Sequence, residues 1–559
     1  MQSHSGMPCE TSGARSCLSH LSRGVRRTLP FAVLSFSLFG PPAHGAALGS
    51  QVVVSGGAIQ TTSPRDSNGV LAFKGIPFSA PPVGKLRWRP PQPVQPWQGT
   101  RDATDFGPRC EAAPLQGAAP AGSTQSEDCL TLNVWSAAQS VGERRPVLVW
   151  IHGGGVQTGV PTPADPRTSG AALASRGVVV VSLNYRLGVF GFLAHPALDA
   201  EGSPSGNFGL QDQMGALRWV RANIGQFGGD SSNVTVFGQS AGAASIGLLM
   251  SSPMARGLFD KAIGESGAFV DGPHGSIATK QEAQARGQAL VSQLAGGSIA
   301  TMRAISADDL IAATPWSGAD PVVDAFSPNI DGYVVTDSPA HVFALGRQID
   351  VPLLAGRNGD EGAIFVGDSL PHGTAAAFQQ AAAAQFGADR LADFLTQYPA
   401  STDAQAASSA QTLIGDLTVN EQSWEWLQLE RSTGRSPTWG YQFNYHSGYS
   451  PLPVHGSEIG FVFGNLLPTR LAPTTPPDAR DLEVSHQLMS YWVNFARTGN
   501  PNGGGLPTWP AYTDVGSQVL IFNDGLTGPS PEQDTARLNF LRSFRSGGRF
   551  PASWRQTGG

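Results

Sequence analysis

Continuous apolar runs recur along the chain. Val147-Leu148-Val149-Trp150-Ile151 is one, and Val178 to Leu183 is another. A strand covered on one face alternates apolar and polar residues; a run apolar throughout fits a strand buried on both faces. Val234 to Phe237, Val351 to Ala355 and Trp439 to Tyr445 fit further strands, and Val52 to Val54 and Val70 to Phe73 fit short early ones. Between these runs the period changes. Leu210, Met214, Leu217, Val220 and Ile224 recur at helical spacing, and Ala243 to Met250 reads as a helix. Strands alternating with helices predict an α/β fold with a mostly parallel central sheet and helices on both faces. Residues 280–348 and 374–422, rich in Ala and polar residues, are expected to form helical excursions capping the sheet edge. Proline cannot donate to a sheet ladder, so the stretch from Pro77 to Trp97, with Pro81-Pro82 and Pro90-Pro91, is expected to wrap the surface.

Composition narrows the class. The 559 residues are 40 % hydrophobic and 14 % charged, which fits a globular chain with a large core. A net charge of −6 without a basic run excludes a nucleic-acid footprint. The N-terminus carries Arg15, Arg23, Arg26 and Arg27, then an apolar run from Leu29 to Phe39, then Pro41, Pro42 and small residues. That order predicts an export signal over residues 1–45, and Arg26-Arg27 admits a twin-arginine route. The run is too short for a stable membrane span, and no other segment is long enough. Residues 46–559 are therefore expected to be a single domain, secreted or periplasmic. Cys9 and Cys17 fall in the leader, whereas Cys110 and Cys129 remain, an even pair that favours a disulfide outside the cell. The oligomeric state is not legible in the sequence.

The chemistry is concentrated in two glycine-rich turns. Gly238-Gln239-Ser240-Ala241-Gly242 matches G-x-S-x-G between a predicted strand and a predicted helix. This is the nucleophile elbow of α/β-hydrolases, where a serine rides a sharp turn and flanking glycines avoid collisions. His152-Gly153-Gly154-Gly155 follows the strand ending at Ile151 and fits an oxyanion loop, with the backbone N–H groups of Gly154, Gly155 and Ala241 as donors. His152 itself is expected only to hold that loop. A nucleophilic serine needs a base, and the base needs an acid, in the order Ser, Asp/Glu, His. Six histidines follow Ser240: His274, His341, His372, His446, His455 and His486. Spacing does not choose among them.

A resemblance does. Phe73-Lys74-Gly75-Ile76-Pro77, Ser126-Glu127-Asp128-Cys129-Leu130, Asn184-Tyr185-Arg186-Leu187-Gly188, Gly206-Asn207-Phe208-Gly209-Leu210 and Phe227-Gly228-Gly229-Asp230 occur in order. With them the chain resembles the type-B carboxylesterase family, which includes the cholinesterases, from about Phe73 to Tyr512, and a secreted bacterial-type member above all. The resemblance implies the α/β-hydrolase fold and a serine carboxylesterase. Its acid matches Glu361 in Asp360-Glu361-Gly362, and its base matches His455 in His455-Gly456-Ser457-Glu458-Ile459. It also implies a Cys110–Cys129 disulfide and a buried supporting role for Ser266.

Three departures stand out. Gln239 replaces the glutamate usual before the nucleophile, Val156 replaces an aromatic after the oxyanion loop, and the segment between Cys110 and Cys129 holds no Trp, Tyr or Phe. In cholinesterases a Trp there holds the choline cation on its π-face. The implied reaction is hydrolysis of a small-molecule ester through an acyl-enzyme on Ser240, with no metal and no cofactor. The residues equally admit an amidase, or a carbamate, polyester or toxin-ester hydrolase, on the same triad. A non-catalytic binding protein of the same fold is the remaining alternative, although every triad position is filled.

Overall fold

The apolar runs become strands, and their packing on two opposite cores shows why both faces of them are buried. The computed structural model describes residues 46–112, 124–158, 165–268, 277–315, 326–365, 370–469, 471–513, 518–524 and 527–546. The expected export segment, His274 and part of the chain between Cys110 and Cys129 lie outside them.

Ten strands form the central sheet among the described residues: β1 Leu71–Pro77, β2 Thr131–Ser136, β3 Arg145–Ile151, β4 Val179–Leu183, β5 Gly229–Gln239, β6 Lys261–Glu265, β7 Leu353–Asn358, β8 Thr438–Phe443, β9 Gln518–Phe522 and β10 Gly528–Pro531. Their order across the sheet is β10-β9-β8-β7-β6-β5-β3-β4-β2-β1. Pairing is parallel from β4 to β9 and antiparallel at both ends. Val147, Val149 and Ile151 of β3 enter one core, while Leu148 and Trp150 enter a second on the opposite face. Helices α1 Phe208–Asn223, α2 Ala241–Ser251 and α4 Glu421–Thr433 contribute to the first core. Helices α5 Glu458–Phe463 and α6 Ala479–Thr498 contribute to the second. The expected layering is thus observed. The N-terminal run around Val52 instead joins a separate three-stranded sheet with residues 57–60 and 100–102.

The excursions are helical as expected. In the second, α3 Asp403–Gly415 runs through a π-turn, Asp416–Asn420, into α4. The proline-rich stretch departs from its expectation, because Phe78, Arg87 and Trp88 are buried. Trp88 is 1 % exposed, and its indole N–H donates to Val189 O at 2.8 Å. Trp88 helps pin the stretch into the molecule, its polar edge satisfied as burial requires.

Candidate active site

Strand β5 ends at Gln239 and helix α2 begins at Ala241, so Ser240 alone makes the turn. It does so at φ 58° and ψ −126°. A non-glycine residue in such a conformation costs about 1–3 kcal/mol and persists only where its surroundings dictate it. Here Ser240 N donates to Glu265 O at 2.9 Å, and Ser240 O accepts from Ala244 N at 2.9 Å. A Cβ on Gly242 would stand 2.0 Å from Ile151 O, so the end of β3 and the elbow can touch only with glycine there.

That contact brings the second turn alongside. Gly154 has φ +105°, and a Cβ on it would lie 1.9 Å from Thr158 O. A Cβ on Gly153 would lie 3.0 Å from Ser240 Cβ, which measures how closely this loop packs on the elbow. Among the described residues, no acceptor takes the backbone N–H of Gly154, Gly155 or Ala241. Ala241 opens α2, where the helix dipole is positive. Val156, at φ 53°, is buried at the end of the loop. His152 is buried; its Nδ1–H donates to Gly153 O at 2.9 Å, and its ring stacks on Tyr185 at 4.4 Å. Burial pushes its imidazole down to about 4, so at neutral pH it is an uncharged prop for the loop.

The expected acid and base lie beyond two other strands, β7 and β8. Glu361 opens a short turn, Glu361–Ile364, after β7 and is 1 % exposed. Its Oε1 accepts from Asn358 N at 2.7 Å, and its Oε2 lies 2.6 Å from His455 Nδ1. His455 follows Val454, which bridges to Asp360 and so ties the two turns together. The Phe365 ring meets the imidazole edge-on at 5.2 Å. Burial works against a charged His455, but the Glu361 carboxylate outweighs it, and the imidazole lies above its ordinary 6.5. On the far side, His455 Nε2 lies 3.1 Å from Gln239 Nε2, and the Ser240 hydroxyl has no hydrogen-bond partner among the described residues. The other described histidines after Ser240 lie elsewhere: His341 pairs with Asp337, His372 with Leu370 O, His446 with Asp524 and Asp360, and His486 sits on α6.

Behind the imidazole lies a polar layer whose function the sequence reading did not assign. Glu458 and Glu265 are fully buried. Glu458 accepts from Ser266 Oγ at 3.3 Å and from the Asn358 amide, and Glu265 accepts from the Trp492 indole at 2.7 Å. Burial, then the neighbouring negative charge, pushes both carboxyls above their ordinary range. Glu458 stands inside the motif quoted for His455, and Glu265 immediately precedes Ser266. Nothing about their spacing indicates that they converge.

Cys110 and Cys129 are disulfide-bonded, with Cα atoms 5.0 Å apart. The bridge lines a cleft with Pro82, Arg87, Glu127, Arg186 and Phe190. An adjoining cleft is lined by Gln157, Gly188 and Phe190.

With this geometry in place, the comparisons are decisive. The model of the carboxylesterase family matches residues 49–540. The chain belongs to the carboxylesterase family. This carboxylesterase is 40 % identical over 467 residues to the fumonisin B1 esterase of Sphingopyxis macrogoltabida, covering 81 % of this chain and 83 % of that protein. It is 36 % identical over 495 residues to the para-nitrobenzyl esterase of Bacillus subtilis (strain 168), covering 85 % and 96 %. Pig (Sus scrofa) liver carboxylesterase matches at 32 % over 520 residues, covering 84 % and 87 %. The solved structure of a PNB esterase superposes with a TM-score of 0.73 at 32 % identity, covering 88 % of this chain and 99 % of that one. The carboxylesterase is therefore a carboxylic ester hydrolase with the α/β-hydrolase fold, acting on small-molecule esters. Among its described residues, no helix is long and apolar enough to cross a membrane.

Proposed function

We propose that this carboxylesterase works through a Ser240–His455–Glu361 triad and an acyl-enzyme on Ser240. The observation that carries this reading is the 2.6 Å contact between His455 Nδ1 and Glu361, with Nε2 turned to the residue next to Ser240. Glu361 holds the Nδ1–H tautomer, which leaves the Nε2 lone pair as the base. Ser240 Oγ attacks the ester carbonyl as His455 takes its proton. The oxyanion that forms is held by the N–H groups of Gly154, Gly155 and Ala241, each worth about 2.7–4 kcal/mol in comparable sites. His455 then protonates the leaving alcohol, and water repeats the sequence on the acyl-enzyme.

The catalytic domain spans residues 46–559 behind an export signal at 1–45, placing the enzyme outside the cell or in the periplasm. The basic-then-apolar N-terminus and the Cys110–Cys129 disulfide support this. The substrate is a small-molecule carboxylic ester, which the names of two relatives, a fumonisin B1 esterase and a para-nitrobenzyl esterase, support. A panel of esters, amides and carbamates, run with Ser240→Ala as control, tests the reading. Hydrolysis of esters that is lost in Ser240→Ala is the expected outcome. Faster turnover of amides or carbamates than of every ester contradicts the substrate class.

A further inference from the structure

Gln239 ends β5 immediately before Ser240, is 6 % exposed, and sits with its amide between two glycines. A Cβ on Gly153 would lie 3.2 Å from Gln239 Oε1, and one on Gly456 would lie 3.6 Å from Gln239 Nε2. This seat presents the amide nitrogen to His455 Nε2 at 3.1 Å. Which group donates follows from the opposite side of the ring. Glu361 accepts at Nδ1, so Nδ1 carries the proton and neutral His455 offers only a lone pair at Nε2. The amide NH₂ must therefore be the donor.

We propose that Gln239 is a positioning residue for the base: its amide donates to the Nε2 lone pair of neutral His455 and clamps the ring until substrate brings Ser240 into that bond. The proposal rests on the triad reading above. The lone pair that Ser240 needs is engaged by Gln239, and the Ser240 hydroxyl is correspondingly unpaired among the described residues. When His455 takes the proton, Nε2 becomes a donor and the NH₂ can no longer face it. The clamp thus favours the neutral ring and opposes the charged one.

The other groups around the ring act in the opposite sense. Glu361 after β7 and Glu458 on α5 are the acidic groups that favour the charged imidazole, and Glu265 at the end of β6 lies behind them. Asp360 and His446, on the adjoining turns, face each other at 4.0 Å. Gln239 is the neutral donor on the Nε2 side. A glutamate in its place, as the resembled family usually has, can accept from the charged ring but cannot donate to the neutral one. The amide therefore reverses the sign of this residue's influence and keeps the base available at lower pH.

The test is the pH dependence of kcat/KM on a neutral p-nitrophenyl ester for wild type, Gln239→Met and Gln239→Glu, with melting temperatures. Methionine keeps the length and removes the donor, so the acid limb is expected to move upward by about half to one unit. Glutamate adds an acceptor and charge, so its limb should move upward by about one unit or more. A residue that merely packs would lower kcat/KM at every pH and leave the limb in place. Limbs that stay put in well-folded variants, or a downward shift in Gln239→Met, overturn the clamp. If Gln239→Glu fails to fold, Gln239→Met and Gln239→Leu decide the matter together. Ser240→Ala, measured alongside, separates the two readings: retained activity there defeats the triad, whereas a dead Ser240→Ala with immobile limbs defeats only the clamp.

Discussion

Glu361 Oε2 and His455 Nδ1 are 2.6 Å apart, although Glu361 shares its turn with a second acid that does not reach the ring. The Asp360 carboxylate lies 4.0 Å from His446 instead. Neighbouring residues in a turn project in different directions, and only one can orient the imidazole. Glu361→Gln can stabilise the wrong tautomer and is expected to lower kcat by roughly 10³–10⁴-fold, with a smaller effect on KM. Asp360→Asn is expected to leave kcat near wild type and to act, if at all, on stability. Kinetics of both variants beside their melting temperatures check the assignment; a fast Glu361→Gln with a dead, well-folded Asp360→Asn contradicts it.

The same pair is expected to set the pH range. The proposed base can work only when neutral, and Glu361 raises the His455 pKa above its ordinary 6.5. Activity should therefore fall as pH drops through a midpoint above that value. Glu458 also favours the charged ring, so Glu458→Gln is expected to move the midpoint downward. A pH profile of kcat/KM for both proteins reads this directly. An upward shift in Glu458→Gln contradicts the electrostatic account.

How much of this was legible in the sequence depends on how local each feature is. The turn at Ser240 and the glycine loop after β3 are contiguous segments with obligatory glycines, and both turns form where their motifs stand. The continuous apolar runs predicted the two-sided sheet because burial on both faces leaves no polar register. Glu361 and His455 come from separate turns, and only the resemblance singled them out of several acids and six histidines. The burial of Glu458 and Glu265, and the reach of Gln239 to His455, depend on where β5, β6 and α5 end in space. Phe78, Arg87 and Trp88 show the converse: a proline-rich, surface-like context conceals buried side chains that anchor the segment.

The disulfide should contribute to stability. Closing a loop over a sequence separation of 19 is worth roughly 3 kcal/mol in the chain-entropy model. Cys110→Ser with Cys129→Ser is expected to melt several degrees lower, and wild type in reductant should approach the same value. A double variant that melts with wild type contradicts a stabilising role.

Choline esters should gain no advantage over neutral esters of similar size. The disulfide loop carries no aromatic residue, and the guanidinium of Arg87 already lies 5.9 Å from the centroid of Phe190, the aromatic ring lining the cleft beside the bridge. Gln239 adds no negative charge. Comparison of kcat/KM for a choline ester and its neutral isostere tests this. A preference for choline above about tenfold, or roughly 1.4 kcal/mol, contradicts it.

The central claim is that Ser240 is the nucleophile, activated by His455. Mass spectrometry after treatment with a fluorophosphonate tests it most directly, because that reagent phosphonylates an activated serine and stays bound. Wild type is expected to gain one adduct on the peptide containing Ser240, in step with loss of esterase activity, and Ser240→Ala to gain none. An inactivated wild-type enzyme with its adduct on another serine, or a folded Ser240→Ala that still hydrolyses the ester, would contradict the account.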